Sequence, residues 1–159
     1  MQFFSNFSPE VATFLMAMTP FGELRLALPV ALLAYKLPLA DAFYIAVLGN
    51  MIPPTIILLL AAKFHKWLEK KKGFFAKQWI KYLADVQEKF QGKYGKYGLF
   101  ALVIFVGIPL PMTGAWSGAI AAFIFGLPAK KAWPYIGVGV IISGVITSII
   151  ALGLGNLFF

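Results

Sequence analysis

The chain has 159 residues, 60% of them hydrophobic and 16% aromatic, with a mean hydropathy of +0.82 and a formal net charge of +8. That apolar content excludes a soluble domain and reads as a single all-α integral membrane domain. With no cysteine and one histidine, the chain cannot form disulfides, thiolate metal sites or cysteine nucleophiles, and it is expected to be a non-enzyme with no metal and no cofactor.

Residues 1–8 contain no basic residue, and no small-residue cleavage site follows them, so no removable leader is expected. Ser8, Pro9 and Glu10 then form a helix start: an N-cap, a proline at the first helical position and an early acid. The helix is expected to run to about Met18 and stop at the stretch TPFGELRLALP, residues 19–29. Pro20 and Gly22 interrupt it, because proline removes a donor and glycine is conformationally permissive. A second short helix from Glu23 to about Tyr35 follows, with Pro29 as a further breaking point. Each piece is about 10 to 13 residues long, which at 1.5 Å rise per residue is only half a bilayer. The unit fits a re-entrant hairpin or a kinked span.

Leu37-Pro38 closes this unit, and Asp41 is placed to cap a spanning helix that runs to about Phe64. Its middle, GNMIPP, is expected to break or kink it at Pro53 and Pro54 and leaves Asn50 near the midplane, either bonding a neighbouring helix or contacting substrate. Residues 63–96 hold ten lysines against Glu69, Asp85 and Glu88, a net +7, whereas the rest of the chain carries only +1. Within this segment Phe75, Trp79, Leu83, Val86 and Phe90 recur at helical spacing with Lys77, Lys81 and Lys89 off the stripe. That pattern predicts a basic amphipathic helix lying in the cytoplasmic interface, with His65 as an ordinary interfacial residue. Anionic lipid attraction accounts for the charge, and no nucleic-acid partner is expected.

The third unit repeats the first: an apolar stretch 97–106, then GIPLPMTG, then an apolar stretch 115–126. Gly107, Pro109, Pro111 and Gly114 are its expected breaks. A last span from about Lys130 to Phe158 follows. A shift of 90 residues lays Leu37-Pro38 on Leu127-Pro128, Phe43 on Trp133 and Gly49 on Gly139, the weak internal symmetry that transporter repeats show. If both basic segments, 63–97 and Lys130-Lys131, are cytoplasmic, the second hairpin enters from the inside and the first from the outside. The expected architecture is therefore two inverted-topology repeats, 8–64 and 98–159, each a re-entrant helical hairpin plus a transmembrane helix, joined by the amphipathic connection 65–97. Gly114, Gly118, Ala122 and Gly126, and Gly139, Ser143, Thr147, Ala151 and Gly155, recur every fourth residue and allow close helix packing.

A charge at the centre of a bilayer costs at least about 2.5–3.5 kcal/mol, so Glu23 and Arg25 mark a functional candidate. Two residues apart on one helix they point to different sides, yet at an irregular tip both can face one cavity. Burial in a low-dielectric site favours a protonated carboxyl, so Glu23 can carry a proton while Arg25 stays charged and holds an anion. The N–H groups opening the Glu23 and Ala115 helices add anion-binding dipoles, and Thr113, Trp116 and Ser117 supply hydroxyl and aromatic contacts. The bland alternative is that Glu23 caps a half helix and Arg25 snorkels to an interface.

ELRLALP after a Pro/Gly break, GNMIPP, and KYGLFALVIFVGIPLPMTGAWSGAIAAFIFGL together resemble the small multi-drug export protein family, itself distantly similar to DedA, or VTT-domain, membrane proteins. The resemblance implies inverted hairpin-plus-helix repeats and a cell-membrane transport role, proposed for such proteins as proton-coupled antiport or lipid-phosphate translocation. Two positions depart from the pattern: Leu26 stands where a glycine is expected after Glu-x-Arg, and the second hairpin carries no arginine. The expected function is a proton-coupled secondary transporter of a small amphipathic or anionic substrate, working in the lipid bilayer, with a homodimer plausible at this size. The competing expectations are a membrane scaffold with a structural Glu23–Arg25 pair and a four-span exporter with no re-entrant segment.

Overall fold

A computed structural model of the chain describes residues 7–70, 73–94, 97–110 and 113–158, and every regular element among them is helical. Helix α1, Pro9–Met18, opens as its residues dictate: Ser8 is extended, its hydroxyl accepts from the Val11 N–H at 3.4 Å, and Pro9 takes the first position. It stops where Thr19 turns extended ahead of Pro20, and the Thr19 hydroxyl donates to the Met16 carbonyl at 2.8 Å. Helix α2, Glu23–Pro29, follows and runs into a π-helical turn, Val30–Ala34, before Lys36 reverses the chain at φ 53°. Pro29 therefore does not break the helix. The missing N–H and the bulk of the ring are accommodated by widening the next turn, with the Tyr35 N–H reaching back to the Val30 carbonyl at 3.0 Å.

Helix α3, Leu39–Glu69, passes through Pro53 and Pro54 without interruption, which corrects the expectation of a break there. Two adjacent prolines strip helical donors only from the Gly49 and Asn50 carbonyls, and the Thr55 hydroxyl adds a bond to the Met51 carbonyl at 2.7 Å. Helix α4 is Phe74–Tyr94, α5 is Gly98–Gly107, α6 is Ala115–Ile124 and α7 is Ala129–Phe158. Gly107 closes α5, Pro109 lies in the link and Gly114 caps α6, so the second interruption falls where those residues placed it. Pro111, also expected there, lies outside the described residues, as do residues 1–6 and the side chains of His65, Phe75 and Phe90.

Packing follows residue size. Helix α1 lies against α3 and α5 against α7, while α2 crosses to α7 and α6 crosses to α3. A Cβ at Gly49 would sit 2.5 Å from the Phe14 carbonyl oxygen, and one at Gly139 would sit 3.0 Å from that of Val103, so each half helix touches its long helix at a glycine. Ala12, Ala17, Ala46, Ala119 and Ala132 are fully buried at the crossings. The segments Leu39–Ala61 and Ala129–Gly153 are long and apolar enough to cross a membrane, and their outward faces expose Leu48, Ile52, Ile56 and Leu59 on α3 and Ile141, Val145, Ile149 and Leu152 on α7. So much apolar surface suits lipid rather than water. Helix α4 buries Leu83 and leaves Trp79 and Tyr82 exposed, and its Gln87 amide donates to the Phe123 carbonyl at 3.5 Å, tying the basic helix to the end of α6.

Candidate functional site

Helix ends leave orphaned backbone groups: the last carbonyls of α1 and α5 and the first N–H groups of α6 have no helical partner. In a membrane they must be satisfied within the protein. Here each broken segment supplies partners to the other. Arg25, on α2, donates from Nη1 to the Leu110 carbonyl and from Nη2 to the Ile108 carbonyl at 3.3 Å and to the Thr113 hydroxyl at 3.1 Å. Thr113 Oγ1 itself lies 2.9 Å from the Ile108 oxygen and 2.8 Å from that of Leu110. The guanidinium thus satisfies carbonyls of the link that follows α5. In return Trp116, on α6, donates its indole N–H to the Met18 carbonyl at 3.1 Å and closes the end of α1.

Glu23 completes the arrangement. Its Oε2 accepts from the Ala115 N–H and its Oε1 from the Trp116 N–H, both at 3.2 Å, so the carboxylate caps the positive end of α6. Glu23 holds φ at 49°, a left-handed conformation that costs a non-glycine residue about 1–3 kcal/mol and persists only where surrounding structure imposes it. Gly114 is what makes room: a Cβ there would overlap the Glu23 carboxylate. Glu23 and Arg25 both meet the second break, Arg25 at residues 108–113 and Glu23 at the start of α6.

Two spaces flank this junction. One is an open cavity of about 630 Å³ lined by Pro20, Phe21, Gly22, Leu26, Pro109, Trp116, Ser117 and Ile120, with Glu23, Arg25 and Gly114 at its polar edge. Phe21, at the tip of the first hairpin, is 99% exposed. The other is a closed space, too tight for a water molecule, lined by Glu23, Arg25, Asn50, Val106, Gly114, Ala115, Val140 and Ser143. The sequence-expected residues therefore divide. Glu23 and Arg25 border both spaces, Trp116 and Ser117 belong to the open one, Asn50 to the closed one, and Thr113 backs Arg25. Ser117 Oγ donates to the Gly114 carbonyl at 3.1 Å.

The sequence reading missed the Ile108 and Leu110 carbonyls as partners of Arg25, and Gly114 as the seat of a carboxylate. It also took Ser143 and Thr147 only as packing residues. Both are buried with unpartnered hydroxyls, as are Asn50 Oδ1 and Arg25 Nε. A signal existed, since two hydroxyls stand four residues apart in a stripe otherwise made of glycine and alanine. Among the described residues no group of three or more His, Cys, Asp or Glu side chains could hold a metal.

Fold and site together define a small helical membrane protein whose buried polar centre is formed by two interlocked helix breaks. Residues 23–146 match the model of the family described as putative small multi-drug export protein, and the chain belongs to that family. The match begins at Glu23 and ends within α7, so it covers both charges of the junction, all of α3, the second break and the first part of α7. Neither the curated proteins nor the solved structures yielded a match. An export family implies a transporter rather than an enzyme.

Proposed function

We propose that this protein is a proton-coupled secondary transporter of a small amphipathic or anionic substrate, with Glu23 carrying the proton and Arg25 setting the charge of the site. The observation that carries the reading is the junction itself: the carboxylate of one break reaches the start of α6, and its guanidinium reaches the link after α5, beside a cavity of about 630 Å³. A mostly apolar wall of Phe21, Leu26, Trp116 and Ile120 with one polar edge suits an amphipathic molecule entering from the lipid. A DedA-like, or VTT-domain-like, reading of the sequence would add the lipid-phosphate substrate class with Arg25 as the one cation to hold it, since residues 109–116 carry no arginine.

The architecture proposed with it is one multi-pass cell-membrane domain of two inverted repeats, residues 8–64 and 98–159, joined by a cytoplasmic amphipathic connection. The bounds of the long helices support the repeat, since α7 starts at Ala129 and α3 at Leu39, an offset of 129 − 39 = 90 residues. The crossing of α2 to α7 and of α6 to α3 supports a pseudo-two-fold relation between the halves.

Proton flux into proteoliposomes under an imposed pH gradient tests the function. The wild type moves protons on addition of an anionic amphiphile, and folded Glu23→Gln does not. The bonds of Glu23 and Arg25 to backbone also favour a second reading, a lipid-organising scaffold in which they are purely structural. Equal behaviour of wild type, Glu23→Gln and Arg25→Ala across a broad substrate panel would move the assignment there.

A further inference from the structure

We infer that the lysine-bearing end of the molecule is a docking surface for the anionic headgroups of a bilayer leaflet, and that headgroups bound there hold α4 against the end of α6 and so brake the junction from outside it. The braking rests on the transporter reading, whereas the surface stands without it. The folded chain gathers its lysines at one end. The Trp133 indole donates to the Thr55 hydroxyl at 2.8 Å, a Cβ at Gly137 would meet Met51, and one at Gly144 would meet Phe43. Helix α7 therefore runs antiparallel to α3 and starts near the level where the apolar segment of α3 ends. Lys130 and Lys131, both exposed, lie at the same end as the exposed Lys63, Lys66 and Lys70. The other end of α3 is flanked by Lys36 and Asp41, whose charges cancel. The apolar segment stops at Ala61 but the helix continues to Glu69, an extension of about 12 Å that crosses a headgroup layer about 5–7 Å deep. Lys66 follows Lys63 by three residues and Lys70 follows Lys66 by four, so the three share one side of that extension.

Helix α4 adds the second wall. It packs on α3 and on α6, and its apolar stripe divides: Leu83 is buried, whereas Trp79 and Tyr82 stay exposed with their rings 6.0 Å apart. Phe64 and Trp67, stacked at 5.8 Å, are half exposed on the α3 extension. Exposed ring pairs beside exposed lysines, among them Lys77 and Lys81 on α4, fit the two layers of a lipid surface, with rings at the acyl boundary and ammonium groups at the phosphates. Asp85 and Glu88 are exposed on α4 too, and the surface stays net positive. An acidic protein would answer the charge but not the rings. The same helix reaches the junction through α6. Gln87 donates its amide to the Phe123 carbonyl at 3.5 Å, and a Cβ at Gly126, where φ is 68°, would lie 2.8 Å from the Gln87 side chain. The two helices thus touch where α6 ends. Helix α6 has ten residues, about 15 Å, and its first N–H groups hold the Glu23 carboxylate. Fixing α4 fixes α6 at one end while Glu23 fixes it at the other, so the two sites are coupled reciprocally.

The test places the purified full chain in nanodiscs of phosphatidylcholine alone, or with phosphatidylglycerol as one lipid in every four, at low and high salt. Phosphatidylglycerol is expected to raise the melting temperature and to slow hydrogen exchange at the end of α6, residues 119–127. Both effects should fade at high salt, because screening shortens the reach of exposed charges. The triple variant Lys63→Gln, Lys66→Gln, Lys70→Gln should lose both effects and match the wild type in phosphatidylcholine. Gln87→Ala should keep the gain in melting temperature and lose the slowed exchange. In proteoliposomes of the same two compositions, proton flux should be lower with phosphatidylglycerol for the wild type and equal in both for Gln87→Ala. Equal melting and exchange in the two lipids, or effects that survive high salt or the triple substitution, overturn the docking surface. The wild-type comparison of lipid and salt decides this even if the triple variant does not fold. An equal gain from soluble polyglutamate added to phosphatidylcholine nanodiscs overturns the lipid assignment in favour of an acidic protein. Slowed exchange that persists in Gln87→Ala overturns the link through α6. Flux that does not fall with lipid charge removes the braking and leaves transport standing, whereas lipid-dependent melting and exchange with no flux in either composition leaves the surface standing and removes the transporter reading.

Discussion

Glu23 and Arg25 stand in sequence where a lipid-facing stretch cannot hold charges without partners, and the partners turn out to be backbone groups of a segment some ninety positions away. A side chain at position 114 competes directly for the carboxylate's place. Gly114→Ala is therefore expected to expel Glu23 from the start of α6 and lose bonds to a charged group that contribute about 1.5–3 kcal/mol, read as a lower melting temperature in detergent. Gly137→Ala is the control: its Cβ meets only Met51, at 3.6 Å, and the gain in helix propensity leaves stability unchanged or raised by up to about 1 kcal/mol. Trp116→Phe keeps a smaller aromatic ring and removes the bond to Met18, a loss of about 1 kcal/mol for the bond on top of the lost contact area, read as a lower melting temperature. The identity of the two charges was legible in TPFGELRLALP. Thr113, which bonds Arg25, was legible too, but the backbone partners were not, because a backbone carbonyl or N–H leaves no mark in a one-letter sequence.

Half helices are marginal alone and depend on what they pack against. Both pack through a glycine on a long helix, Gly49 under α1 and Gly139 under α5. Each of Gly49→Ala and Gly139→Ala should force the half helix outward and destabilise by about 1–3 kcal/mol in chemical or thermal unfolding. Gly153→Ala, whose Cβ meets nothing within 4 Å, should not. The starts and stops of α1, α5 and α6 were readable from Ser8-Pro9, Pro20-Gly22 and Gly107 to Gly114, since caps and breakers act locally. Pro29, Pro53 and Pro54 carry the same local signal with a different outcome. A long or widened helix held on several sides can absorb a missing donor, and the number of sides that hold it is not a local property.

In the proposed topology the two ends of the hairpins open on opposite faces of the bilayer. Single cysteines placed at Lys77, Lys131 and Lys36 in intact cells should then divide, the first two reacting only after the cytoplasmic side is exposed and the third from outside. If Lys131→Cys reacts from outside, the inverted arrangement gives way to four simple spans. Composition and periodicity alone pointed to a membrane protein, the order of half helix, break, half helix and span, and the two charges at the first break, because hydrophobic length, proline and glycine act within one turn of the chain. The interlocking of the breaks, the division of the junction into an open cavity and a closed polar space, and the placing of Asn50 and Ser143 beside Glu23 came from the folded chain. They depend on which orphaned groups meet across distant segments, and that is decided by how helices pack rather than by any stretch of sequence read on its own.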